Sequence, residues 1–263
     1  MKETKVNDSK KALMIKTDTL REYKIVKSND LIQKSRFSLS MTEQKIVLYL
    51  ISKIKPNDLE LKEQVFEIAE FCRICGIDWN NGNNYARIKK ILKDLRDKSF
   101  WIKLDNGMET TMAWIDHVTI GEKSGKVILK IDDRLKPYLL QLKKQFTQYE
   151  VLYILAMKSR YSIRLYELLR SYEYQRNVIF EIEELKRLLD AEKYTRFPDF
   201  KRYVLDIAMR EINDVSDMNI DYICIKEGRK YAKIEFGMKI KKEFDQTLDT
   251  WNNIFKVIDK KKN

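Results

Sequence analysis

Val65-Phe-Glu-Ile-Ala-Glu-Phe-Cys-Arg-Ile-Cys75 aligns without a gap over Ile179-Phe-Glu-Ile-Glu-Glu-Leu-Lys-Arg-Leu-Leu189, with identical Phe, Glu, Ile, Glu and Arg. Each copy reads as a short β-rich run turning into a brief amphipathic helix. Upstream, Ile46, Leu48 and Tyr49 lie over Ile163, Leu165 and Tyr166, within segments of helical periodicity. Downstream, both copies continue with a polar turn, a longer helix and two strands. Two amphipathic stretches match by chance at scattered positions. An ungapped run of identities with the same element order on both sides points instead to an internal duplication.

In the first copy, Ser40-Met-Thr-Glu43 is a capping box, and Ile46, Val47, Leu50, Ile51 and Ile54 follow at helical spacing. Pro56-Asn57-Asp58 ends that helix, and Gly76 stops the brief one after Cys75. The turn Asn80 to Asn83 precedes a helix over about 83–98. Strands follow over Phe100–Leu104, Thr111–Ile120 and Val127–Ile131, joined at Asp105-Asn-Gly107 and Gly121 to Gly125. A helical connector, Asp132 to Lys144, and a second capping box, Thr147-Gln-Tyr-Glu150, lead into the second copy. There the pattern predicts a helix over Ser162–Tyr174, a long helix from Pro198 to Asp214, and strands over Asn219–Lys226 and Tyr231–Phe236. Helix, strand, helix, turn, helix and two-stranded ribbon is the winged form of the helix-turn-helix unit. The expected fold is therefore α+β, with tandem duplicated winged-helix domains. Residues 1–35 read as a tail and arm, 36–145 as the first domain, 146–240 as the second, and 241–263 as a basic tail.

Composition narrows the partner. The 263 residues carry 52 Lys+Arg against 40 Asp+Glu, net +12, which favours a polyanion: nucleic acid or an acidic membrane face. No apolar run approaches a membrane span, and Met1 to Lys11 is polar. Three cysteines fit a reducing, cytoplasmic setting. A soluble partner, DNA or RNA, leads, and the tandem winged helices select double-stranded DNA.

A wheel at about 100° per residue divides the two third helices. In the first, Tyr85, Ile88, Leu92 and Leu95 share the core side, while Asn83, Arg87, Lys90 and Lys93 point outward as a DNA face. In the second, Phe200, Val204, Ile207 and Ala208 face inward. Arg202 lies nearly opposite, with Lys201 and Arg210 on the flanks. Lys193-Tyr-Thr-Arg196 brings charge and an aromatic to the helix N-terminus, the end that meets base edges. Arginine pairs bidentately with guanine, whereas lysine more often positions a protein on phosphates. Arg196 and Arg202, with Tyr194, are the expected base readers. Lys193, Lys201, Arg210 and the wing residues Lys226, Arg229, Lys230 and Lys233 are expected on the backbone or its flanks.

Catalytic chemistry is poorly provided for. His117 is the single histidine, so the His-hydrophobe-His pair of a metal-dependent tyrosine nuclease is missing, as is a Ser/His or Cys/His nucleophile system. Cys72-Arg-Ile-Cys75 has redox or zinc spacing, yet the second copy carries Lys186 and Leu189 there, so structural thiols are expected. There is no phosphate-loop motif for ATP. The expectation is a non-enzyme without metal or cofactor.

Three stretches carry a family resemblance: Tyr194-Thr-Arg-Phe-Pro-Asp-Phe-Lys-Arg202 running on to Arg210-Glu-Ile-Asn213, Ser159-Arg-Tyr-Ser-Ile-Arg-Leu-Tyr-Glu-Leu168, and Asn29-Asp-Leu31 with Leu39-Ser-Met-Thr-Glu-Gln-Lys-Ile46. Over about residues 24–240 the chain resembles the theta-type plasmid replication initiators of the Rep/RepB kind. The resemblance implies tandem winged helices that bind directly repeated origin sequences, or iterons, as monomers. It implies dimers, made largely through the first domain, that repress the initiator's own transcription. It also implies that the second domain makes the dominant base contacts, and that bound initiators open an AT-rich region and recruit host replication proteins such as an initiator and the replicative helicase. A plasmid-borne transcriptional repressor shares the fold and the basic faces and stays open as the alternative. For the tail 241–263, phosphate affinity and disorder both stay open.

Overall fold

In the computed structural model, which describes residues 24–55, 57–77, 84–121 and 123–241, the two aligned stretches become the same pair of elements. The chain order starts with strand β1 (Lys24–Ser28), helix α1 (Asn29–Lys34), strand β2 (Ser35–Arg36) and helix α2 (Met41–Ile51). Then come β3 (Gln64–Glu67), α3 (Ile68–Ile74), α4 (Asn84–Asp97), β4 (Ser99–Lys103), β5 (Glu109–Ala113), β6 (Ile115–Gly121) and β7 (Lys126–Ile131). A 3-10 turn and the short α5 (Lys136–Leu139) lead to β8 (Phe146–Glu150), α6 (Val151–Ala156) and α7 (Arg160–Arg170). The chain continues through β9 (Asn177–Glu181), α8 (Ile182–Leu189), α9 (Phe197–Phe200), a π turn (Lys201–Leu205), α10 (Asp206–Val215), β10 (Met218–Glu227) and β11 (Lys230–Ile240). The tail 1–23, the turn 78–83 with Asn83, and most of the segment 241–263 lie outside the described residues.

The duplication holds in sheet topology. The first unit's sheet has the order β3-β7-β6 and the second's β10-β11-β9, so in each the short strand before the second helix pairs with the last strand of the ribbon. The register agrees as well: Glu67 faces Lys126, and Glu181 faces Lys233. Tyr49 and Tyr166, aligned in sequence, are both buried. The first unit differs by a β4–β5 hairpin, inserted between α4 and the ribbon and paired through β4 to β2.

Ser40 caps α2 as expected, accepting from the Glu43 N–H while Glu43 accepts from the Ser40 N–H. The second capping box does not form. Thr147 and Glu150 lie in β8, which pairs antiparallel with β1 along its whole length, and the Thr147 hydroxyl donates to Asn29 Oδ1 at 2.6 Å. Alternate burial of Thr147 and Tyr149 wins over the local capping preference, because pairing satisfies five residues of backbone at once. The expected connector helix over 132–144 is likewise cut to the 3-10 turn Asp133–Leu135 and α5. Gln141 and Gln145 beyond it take positive φ of 51°, which an α-helix excludes.

One hydrophobic core runs through both units. Helix α2 packs on α6 and α7, which explains why even its Glu43, Gln44 and Lys45 are buried. At this junction sits a polar knot. Lys27 Nζ of β1 donates to Glu167 Oε1 of α7 at 2.6 Å, and the Tyr149 hydroxyl of β8 donates to the same oxygen. One turn away, the buried Arg164 guanidinium donates to the carbonyls of Ile32 (2.7 Å), Ser35 (3.1 Å) and Leu188 (3.0 Å), joining α1, β2 and α8. Burial pulls its pKa down to about 10.

Candidate nucleic-acid interface

Pro198 sits in the first turn of α9 and Asp199 beside it, both suited to a helix start where N–H groups are free and the dipole is positive. Helix α9, the π turn and α10 form one continuous third helix. Phe200, Val204 and Ala208 are buried, as the wheel requires. Leu205 is buried as well and Ile207 only half-buried, which corrects the inward assignment of Ile207. The π turn inserts one residue and so shifts the phase of the helix at that point.

The outward residues gather at the N-terminal end. Arg196 is exposed, 3.8 Å from Asp199 Oδ2. The exposed Arg202 guanidinium lies 5.3 Å over the Tyr203 ring, and among the described residues no carboxylate reaches it. Lys193 Nζ lies 5.1 Å over the Tyr194 ring. Tyr194 itself is half-buried, stacked on Tyr203 and edge-on to Tyr161, so most of its ring serves packing. Lys201 donates to both carboxylate oxygens of Asp206 at 3.0 Å. Arg210 is exposed one turn further along α10.

The wing meets this end of the helix. The rings of Phe197 and Tyr231 stack at 4.4 Å, tying the first turn of α9 to the start of β11. Lys226 Nζ lies 4.9 Å over the same Tyr231 ring. Glu227 pairs with Lys230 across a two-residue turn, and Gly228 there takes φ +62°, the first central position of a type II′ hairpin. That turn holds Arg229 and Lys230 exposed at the tip. Lys233 points back into the sheet, paired with Glu227 (2.8 Å) and Glu181 (3.4 Å). The Phe197–Tyr231 stack escaped the sequence reading. Its signal was an aromatic at each end of the assembly, one beside Arg196 and one beside Lys230.

In the first unit, Arg87, Lys90 and Lys93 are exposed on α4, together with Lys89, which the wheel had not singled out. Lys93 is paired with Asp97. Ile88, Leu92 and Leu95 are fully buried on the other side. Cys72 and Cys75 are buried on and just after α3. Burial pushes the Cys72 thiol up to about 12 and Cys75 in the same direction, which keeps both protonated. His117 is half exposed at the surface, 2.9 Å from Glu63 and 3.2 Å from Asp116. No described helix is long and apolar enough to cross a membrane.

Two third helices with basic outer faces, each backed by a ribbon, define a tandem winged-helix DNA-binding protein. The chain belongs to the initiator replication protein family: residues 24–170 match its first domain, described as "Initiator Replication protein, WH1", and residues 181–238 match "Initiator Rep protein, WH2". That family is one of DNA-binding proteins rather than of classical enzymes. The chain is 25% identical over 250 residues to an Escherichia coli protein named replication initiation protein, covering 90% of this chain and 76% of that one. It is 30% identical over 147 residues to an Escherichia coli protein named PI protein, covering 49% of this chain and 48% of that one. Among solved structures it is similar to the WH1 domain of MSBI1.176, a replication protein isolated from a multiple sclerosis patient. That match has 20% identity and a TM-score of 0.28, and covers 38% of this chain and 77% of that one.

Proposed function

We propose that this chain initiates plasmid replication by binding directly repeated origin sequences as a monomer, the second unit making the dominant base contacts. The observation that carries this reading is the gathering of Arg196 and the wing residues Lys226, Arg229 and Lys230 about the Phe197–Tyr231 stack, with the exposed Arg202 further along the same helix over Tyr203, in a chain of the initiator family. Arg196 and Arg202 enter the major groove, and Lys226, Arg229 and Lys230 hold the adjacent phosphates. Tyr194 stacks on Tyr203, the ring that carries the Arg202 guanidinium, and presents the edge left free of packing to the same groove. Lys193, Lys201, Arg210 and Lys233 flank the groove, with Lys201 and Lys233 partly neutralised by their carboxylates. Arg87, Lys90 and Lys93 of the first unit, with Asn83, meet the rest of the repeat. Bound monomers open an adjacent AT-rich segment in the cytoplasm and recruit host replication proteins, without chemistry of their own.

A dimer represses the initiator's own transcription and forms through the first unit. Supporting this, among the described residues the β4–β5 hairpin occurs in that unit and not in the second, and leaves β5 at the end of its sheet, with Trp101 54% and Met108 60% exposed. The test is a plasmid carrying only the origin repeats, with the protein supplied in trans. Replication supports initiation; tight binding to the repeats without replication favours a repressor. Site-specific nicking of supercoiled origin DNA in Mg²⁺ or Mn²⁺ overturns the non-enzymatic reading.

A further inference from the structure

One carboxylate spans the π turn in the second unit's third helix. The Asp206 N–H donates to the Lys201 carbonyl, the i to i−5 bond that defines the turn. The Asp206 carboxylate receives the Lys201 ammonium, 3.0 Å from each oxygen. In an α-helix residues five apart lie about 140° from each other around the axis and do not meet. The main-chain and side-chain links between 201 and 206 are therefore mutually dependent. The Tyr222 hydroxyl of β10 donates to the same carboxylate, fastening the turn to the wing. Burial by itself raises the pKa of this carboxyl, and the bonds from Tyr222 and Lys201 bring it below the ordinary range.

One inserted residue rotates everything before it by about 100° relative to everything after it. Phe200 before the turn, Val204 within it and Ala208 and Ile212 after it are all seated in the core. A plain α-helix would spread Phe200 and Ile212 about 120° apart around the axis, so the inserted residue is what keeps both halves seated while Arg196 and Arg202 face outward. We propose that Asp206 is a positioning residue for base recognition: by clasping Lys201 and Tyr222 it maintains the π turn and thereby sets the direction in which Arg202 and Arg196 face DNA. This rests on the second unit's third helix reading the groove, as proposed above. Asp206 touches no base in this scheme. Its loss also removes a negative charge from the basic face, so specific and non-specific binding move in opposite directions.

The test uses the full-length chain, a duplex it enriches from a randomised library, and a random duplex of equal length. Asp206→Ala is expected to weaken binding to the enriched duplex at least about tenfold, bind random duplex as well or better, and enrich a different consensus in a repeated selection. Tyr222→Phe, which removes only the hydroxyl, is expected to lower the specificity ratio in the same direction, about threefold, without adding to the effect of Asp206→Ala. An unchanged specificity ratio and consensus in Asp206→Ala overturns the proposal. If that variant does not fold, an unchanged consensus in Tyr222→Phe overturns it. Arg202→Ala separates the two levels. If it loses specificity while Asp206→Ala keeps it, only the positioning role falls; if it too is neutral, the reading of this helix as the base reader falls.

Discussion

Glu167→Gln should be among the most damaging single substitutions in this chain, although it keeps shape and a hydrogen-bond acceptor. Lys27 and Glu167 are 1% and 2% exposed at the side chain, so the ammonium has no route to water once its counter-charge is gone. Removing one partner of a buried pair costs about 3–5 kcal/mol. The ceiling is set by the escape open to Lys27, which is to lose its proton. At pH 7.5, about three pH units under the ordinary lysine value and about 1.4 kcal/mol for each, that escape costs about 4 kcal/mol. Burial already draws the Lys27 pKa down while Glu167 holds it up, so the change removes the restoring influence. The expected loss is about 3–4 kcal/mol at pH 7.5, against a typical total of roughly 5–15 kcal/mol. In the variant the folded state binds fewer protons at Lys27 than the unfolded state does. The deficit relative to wild type therefore shrinks as pH rises towards the unfolded lysine value. Urea denaturation at pH 7 and 9.5 measures both effects. Replacing Lys27→Met with Tyr149→Phe and Glu167→Leu removes the buried pair but leaves the Arg164 guanidinium without the nearby carboxylate, so this triple variant should be more stable than Glu167→Gln while recovering only part of the loss. A Glu167→Gln chain within about 1 kcal/mol of wild type at both pH values refutes the reasoning.

The remaining predictions concern DNA and alkaline pH. Arg202→Ala is expected to cost about 1–3 kcal/mol on the enriched duplex and to broaden base preference there, checked by competition binding against single-base variants. Lys230→Ala at the wing tip should weaken all duplexes alike and lower the slope of log affinity against log salt by about 1, read from titrations at several salt concentrations. Burial pushes Tyr149, Tyr153, Tyr166 and Tyr222 above the tyrosine range and Cys72 up to about 12. The folded chain keeps protons that the unfolded chain gives up, so this stability is complete below the unfolded thiol and phenol values. It drains away as pH rises through about 9–10 and beyond. Arg164 and Lys27, both shifted downward, oppose the loss but are outnumbered. The urea midpoint should fall above about pH 9; a rise there contradicts the assignment.

The parts of this molecule legible in sequence are those whose residues answer to their own neighbours. Ser40 and Glu43 form the expected capping box because both partners lie within one turn. Ile88, Leu92 and Leu95 are buried where periodicity places them. Thr147 and Glu150 present the same local pattern as Ser40 and Glu43, but β1, more than a hundred residues away, claims them for a sheet. No local pattern marks Lys27, Arg164 and Glu167 for burial; the fusion of two units into one core buries them together. On the proposed DNA face, the exposure of the arginines was legible because the other side of the helix is apolar. The carboxylates that restrain the lysines were not. Asp206 reaches Lys201 only through the π turn, and Glu181 reaches Lys233 only through strand register.

A hydroxyl-radical footprint of the full-length monomer on a duplex carrying a single copy of its own origin repeat tests the central claim most directly. Two winged helices on one chain predict protection around two major grooves, with contacts to phosphates beside them, and Arg202→Ala should selectively weaken the footprint in one groove. Protection confined to a single groove, or a footprint indifferent to sequence, would contradict the account.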